Sequence, residues 1–290
     1  MGYEKVTSNL ETVDRLIADL KIKLDPDVEI VQQMSLVREF LQDRDQLSLD
    51  QLDAKWQPRF ADFYKAQLSV GVLSEAITEL ATNQKDPLKK YLKVILGGGI
   101  SQGGTPGGNA RDWFYELNLG SVLSRSGFTV HFQEPDLVIE GNGLSQKIGI
   151  ACKYPSSEKG LHEHISKGLS QLKKHNLPGL IALGIDQIVV EKADLKKYVD
   201  FNIGGKNPVD VLQAFADNGV LTLVRDRPTH YPSEAPLDEI VVTLSLVGHY
   251  GKPAQLINPT VLSVHCSNAS PIFTDIGLIV QALAKLPRKP

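Results

Sequence analysis

The chain has 290 residues, 42% of them hydrophobic, with a net charge of −3, enough length for two ordinary domains and enough apolar content for a substantial core. That charge rules out a whole-surface attraction to nucleic acid, so any such binding needs a local basic face. Cys152 and Cys266 are the only cysteines, too few for a disulfide scaffold or a cysteine-rich zinc site, and no stretch approaches the ~20 apolar residues of a membrane span. The opening MGYEKVTSNLETVD is too polar for a signal peptide, and Val6 stands where a myristoylation motif wants Ser or Thr. A reducing cytoplasm is the expected setting.

Residues 4–96 read as a run of helices. Val6, Leu10, Val13, Ile17 and Leu20 recur at helical spacing. Asp25-Pro26 signals a second helix through about Leu41, and Ser48 with Gln51 forms a capping-box pattern for a third. Pro58 interrupts, and Phe60, Phe63, Tyr64, Leu68 and Val72 resume the stripe. Asp86-Pro87 opens a short helix to Leu96. The apolar content of these helices exceeds what they can bury alone, which suggests a homo-oligomer contact through this all-α N-terminal region. It is also the more acidic part, with 12 basic and 16 acidic groups over residues 1–90 against 19 and 18 over 91–290.

Residues 97–108, GGGISQGGTPGG, carry glycine at seven of twelve positions. They lack the Gly-Lys-Ser/Thr ending of a P-loop, do not fit GxGxxG and follow no strand, so a flexible linker is the expectation. Residues 109–290 then form the second domain. A helix from Asn109 carries Trp113, Leu117, Leu119, Val122 and Glu116 and closes at Gly127. Phe128–Phe132 is a short strand. The stretch EPDLVIEGNGLSQKIGIACK, Glu134–Lys153, reads as a β-hairpin turned at Asn142-Gly143. With the turn centred there, Asp136 lies opposite Gly149 and Glu134 opposite Ala151, and Glu134, Asp136, Ala151 and Lys153 share one face. Two carboxylates and an ammonium on one sheet face are costly to bury without a partner, and a divalent metal would supply one.

Residues 158–175 form a polar amphipathic helix, and Pro178–Asp186 a buried strand, apolar throughout. Beyond it a helix is expected from Asn207-Pro208 to Gly219, strands at 220–225, 239–248 and 260–266 extending the same sheet, and a last helix at 275–286. On the helix at 158–175, Lys159, Lys167, Lys173 and Lys174 outnumber Glu158 and Glu163, a composition suited to steering phosphates. His162 and His164 point in different directions from a helix and read as surface residues. Cys152 alternates away from Lys153 and reads as a small core residue. There is no GxSxG and no HExxH.

Pro-Asp, a hairpin and a strand ending in x-x-Lys resemble the signature PD-(D/E)-x-K of the restriction-endonuclease-like superfamily, over roughly residues 108–186. The resemblance implies an α/β fold with an α-β-β-β-α-β core, a mixed sheet and a C-terminal extension. It implies metal-dependent hydrolysis of phosphodiester bonds in DNA or RNA, with Mg²⁺ or Mn²⁺ as cofactor and, by analogy, a role in defence against foreign DNA. Asp136 matches the motif aspartate, Lys153 the lysine and Glu116 the glutamate of the first helix. Gln171 is similar to a glutamine used near the lysine in some nuclease families, and Lys159, Lys167 and Gln171 are the implied nucleic-acid contacts. Ala151 departs from the pattern, which puts an acid there. Hairpin register offers Glu134 as its substitute, making Asp136, Glu134 and Glu116 the expected metal ligands. The alternative is a catalytically inactive module of the same fold that binds nucleic acid or protein.

Overall fold

The computed structural model describes residues 3–81, 84–97, 108–155, 157–184, 237–246, 257–265 and 273–284. Most of the glycine-rich stretch, the helix expected at 208–219 and the strand expected at 220–225 lie outside the described residues. The chain divides into two compact units, Met1–Ser121 and Val122–Lys289. It is a mixed α/β protein with a helical N-terminal part. None of the described helices is long and apolar enough to cross a membrane.

The first unit comprises α1 (Tyr3–Leu20), α2 (Glu29–Gln46), α3 (Leu49–Trp56), a 3-10 turn (Gln57–Arg59), α4 (Phe60–Leu80), α5 (Lys85–Gly97) and the larger part of α6 (Gly108–Arg125). The α1 stripe is buried as its spacing requires, with Val6, Leu10, Val13, Ile17 and Leu20 all in the core. Ser48 accepts from the Gln51 amide while the Gln51 side chain accepts from the Ser48 amide, the reciprocal cap that starts α3. The second helix begins three residues later than Pro26 suggests. The Asp25 side chain accepts from the Asp27 amide and holds a turn there, and α2 starts at Glu29. It buries Ile30, Val31, Met34, Val37 and Phe40. Phe40 stacks on Phe63 at 3.9 Å between ring centroids and meets the edge of Trp56 at 5.1 Å.

The second unit is built on one sheet in the order β1 (Thr129–Gln133), β2 (Asp136–Glu140), β3 (Ile148–Lys153), β4 (Gly179–Gly184), β5 (Leu237–Leu246) and β6 (Ile257–His265). Neighbours β1–β2, β2–β3 and β5–β6 are antiparallel, whereas β3–β4 and β4–β5 are parallel. Parallel neighbours need a crossover, and α7 (Glu158–His175) supplies it between β3 and β4. Ser157 caps its start, and Asn176 ends it with a positive φ of 49°. β4 is buried along its whole length, as its unbroken apolar sequence requires. The two late strands extend this sheet, and α8 (Phe273–Ala284) follows them.

The β2–β3 hairpin differs from the expected register. Asn142 and Gly143 do form a turn with positive φ at both centres, closed by the Leu144 amide on the Gly141 carbonyl at 3.0 Å. The strands, however, stop at Glu140 and resume only at Ile148. Ser145 is drawn out of the ladder because its amide and hydroxyl both donate to the buried carboxylate of Asp275 on α8, at 3.0 and 2.5 Å. Leu137 therefore pairs with Ile150 and Val138 with Gly149, which brings Asp136 alongside Ala151 rather than Gly149. The slip is two residues, so every side chain keeps its face.

Helix α7 approaches the sheet closely. A side chain on Gly168 would sit 3.1 Å from Ile181 and 3.3 Å from Ala151, and one on Gly149 would sit 3.0 Å from Leu172. Gly179 is the tightest position, because a Cβ there would lie 2.2 Å from the Gly149 carbonyl oxygen. That neighbour is backbone and has no rotamer to yield. Gly179→Ala is expected to cost about 2 kcal/mol or more, the range of an overpacked core. Chemical denaturation would show it as a lower midpoint with an unchanged slope.

Candidate functional site

Asp136 opens β2 at the end of a two-residue turn, Glu134-Pro135, since Gln133 and Asp136 pair directly across β1 and β2. Its carboxylate is bonded from three elements. Oδ2 accepts from the Cys152 amide at 2.7 Å and from Lys153 Nζ at 2.7 Å, and Oδ1 accepts from Gln171 Nε2 at 3.1 Å. Lys153 Nζ also donates to the Cys152 carbonyl at 2.8 Å, and Gln171 Nε2 to the Pro135 carbonyl at 2.8 Å. The Asp136 and Lys153 side chains keep only 18% and 12% of their exposure. Three residues singled out from the sequence, on β2, β3 and α7, thus meet within hydrogen-bond distance.

Burial pushes the Asp136 carboxyl above its ordinary value of 3.8. The Lys153 charge and the hydrogen bonds from Lys153, Cys152 and Gln171 pull it down, but desolvation is the largest influence. The folded chain therefore holds this proton more tightly than the unfolded chain. Its contribution to stability is present at acid pH below the unfolded pKa and is lost as pH rises through the folded pKa.

The expected substitution of Glu134 for an acid at 151 is corrected by this geometry. Glu134 lies in the β1–β2 turn, not on β2, and the neighbour of Ala151 is Asp136. The Glu134 side chain is 59% exposed, and its Oε2 is 3.8 Å from His175 Nε2 at the end of α7. Ala151 itself is fully buried under Gly168, so no larger side chain fits there without displacing α7. Glu116 belongs to the first unit, where its carboxylate accepts a hydrogen bond from Tyr91.

Of the proposed nucleic-acid contacts, Gln171 is at the site, the Lys159 side chain lies outside the described residues, and Lys167 pairs with Glu163 on the helix surface at 2.6 Å. His164, read from sequence as a surface residue, is half-buried. Leu172 lies over Gly149 and Gly168 over Ala151, so α7 runs antiparallel to β3 and His164 is one turn nearer Lys153. Burial first, then the Lys167 and Lys153 charges, hold its pKa below the ordinary imidazole value. Spacing from Gln171 was the available signal: 164, 168, 171 and 175 fall on one helical face.

Among the described residues no three His, Cys, Asp or Glu side chains gather to hold a metal ion. Mg²⁺ accepts as few as one or two carboxylates, completing its shell with water and substrate phosphate. Asp136 meets that lower limit. Each carboxylate oxygen has two lone pairs. Oδ2 uses both on Cys152 and Lys153, whereas Oδ1 uses one on Gln171 and keeps one. No protein-family model, curated protein or solved structure matches this chain.

Lys153→Ala removes an ammonium that lowers the Asp136 pKa, so the carboxyl should titrate at still higher pH in the variant. Carbon-13 NMR of the Asp136 carboxyl measures this directly. An unchanged titration would mean that the Asp136–Lys153 pair does not persist in solution.

Proposed function

We propose that this chain is a metal-dependent nuclease with a restriction-endonuclease-like core, cleaving phosphodiester bonds in DNA. The observation that carries the reading is the convergence of Asp136, Lys153 and Gln171 from three separate elements onto one partly open carboxylate. The order α6, β1, β2, β3, α7, β4 with antiparallel β1–β3 and a parallel β3–β4 pair agrees with the core that the motif implies.

In this reading Asp136, whose Oδ1 keeps a free lone pair, would hold Mg²⁺ or Mn²⁺. The bound ion would polarise the scissile phosphate and lower the pKa of an attached water. Lys153 has three N–H donors, two of them engaged by Asp136 and the Cys152 carbonyl. The third is available to a nonbridging phosphate oxygen, where charge develops during attack. Gln171 fixes the Pro135-Asp136 corner, so the carboxylate is held before substrate arrives. Hydrolysis joins the water oxygen to phosphorus, breaks the bond to one sugar oxygen and returns a proton to that oxygen. By analogy with the family that the motif resembles, the physiological role would be defence against foreign DNA.

A second reading has one specific observation in its favour. The position of the second acid is closed by the Ala151–Gly168 contact, which suits a module that binds nucleic acid without cleaving it. Incubating the full chain with linear, supercoiled, branched and single-stranded DNA, and with RNA, separates the two. Cleavage in Mg²⁺ or Mn²⁺ but not in Ca²⁺ or chelator is expected, falling ~100-fold or more in Asp136→Asn and in Lys153→Ala. Binding without cleavage of any substrate would establish the second reading, and full activity in Lys153→Ala would remove that residue from the mechanism.

A further inference from the structure

Three buried side-chain polar atoms among the described residues have no hydrogen-bond partner: Asn9 Nδ2, Gln171 Oε1 and His175 Nε2. Buried polar groups are almost always satisfied, so each such atom calls for an explanation. Two of the three are four residues apart on α7 and so lie on the same helical face. Both also adjoin the Glu134-Pro135 turn, since Gln171 Nε2 donates to the Pro135 carbonyl and His175 Nε2 is 3.8 Å from Glu134 Oε2.

The chemistry of these atoms is one-sided. The Gln171 amide cannot be turned over without loss, because its nitrogen donates to two acceptors, the Pro135 carbonyl and Asp136 Oδ1. Its oxygen is therefore committed as an acceptor. Glu134 is a carboxylate, and a neutral His175 protonated at Nδ1 offers a lone pair at Nε2. Three electron-pair donors of this kind are a donor set suited to a cation. The separation of the Glu134 and His175 atoms discriminates further. A gap of 3.8 Å is too long for a hydrogen bond. Tetrahedral zinc holds two ligands at 2.0–2.2 Å about 3.3–3.6 Å apart, so the pair has to close by a few tenths of an ångström to share one ion, a movement open to the exposed Glu134 side chain.

We propose that Glu134, Gln171 Oε1 and His175 Nε2 form a binding site for a divalent transition-metal ion, distinct from the Asp136 carboxylate. Mixed imidazole and oxygen donors favour Zn²⁺ or a similar ion over Ca²⁺, which prefers an all-oxygen shell of six to eight ligands. Glu134 sits in an exposed turn, so its side chain closes onto the ion from the solvent side while the two α7 ligands are held by the helix. The site stands on these atoms alone and does not require the nuclease reading.

Calorimetric titration of the chelator-treated full chain with Zn²⁺, and separately with Ca²⁺, tests the proposal. One Zn²⁺ per chain and no Ca²⁺ is the expected result, with affinity reduced at least tenfold in Glu134→Gln and in His175→Ala. Zinc should also shift the His175 Nε2 resonance in nitrogen-15 NMR of the wild-type chain, a readout independent of how the variants fold. Absence of Zn²⁺ binding would overturn the proposal. So would Zn²⁺ binding that survives His175→Ala but is lost in Asp136→Asn, because the ion would then occupy the other carboxylate.

Discussion

Helix α7 lies on β3 at a separation that only small side chains permit, and this close approach organises the candidate site. Gly168 sits over Ala151 and Ile181, and Gly149 and Gly179 leave room for Leu172. Interiors are packed densely enough that one added methylene is felt, so these four small residues set the helix height. At that height Gln171 reaches both the Pro135 carbonyl and Asp136. A larger residue at 151 would lift α7 and break these contacts. The lack of an acid at that position and the presence of Gln171 at the carboxylate are thus two consequences of one packing decision.

The electrostatics follow from the same packing. Covering the sheet face removes most water from Asp136 and Lys153, and desolvation is the dominant influence on the carboxyl. A buried ion pair is an uncertain source of stability, because its desolvation cost offsets much of the attraction. Hydrophobic residues of similar size would fill the space at lower risk. The fold therefore gains little from an aspartate, a lysine and a glutamine at one strand end. Perturbed carboxyls in partly open sites are common where catalysis occurs, although structural ion pairs produce them too.

Much of this arrangement could be read from the residues. The apolar run of β4, the type of turn at Asn142-Gly143 and the α7 crossover followed from local pattern, because periodicity and turn chemistry act over a few residues. The common face of Asp136 and Lys153 was legible for the same reason. Register was not, since it depends on Asp275, 130 positions away from the Ser145 it holds. The placement of Glu134 was lost at Pro135, where the chain turns between β1 and β2 instead of continuing a strand. Helical spacing put His164 and His175 on the face of Gln171, but which of them lies toward Lys153 depended on the direction of α7 over the sheet.

A crystal structure of the full chain with a short DNA duplex and Ca²⁺, which permits binding while suppressing hydrolysis, tests the central claim most directly. The account predicts a backbone phosphate against Lys153 Nζ, with the Gln171 bond to Asp136 intact. DNA seated elsewhere on the chain, with the Asp136–Lys153 pair untouched, would contradict it.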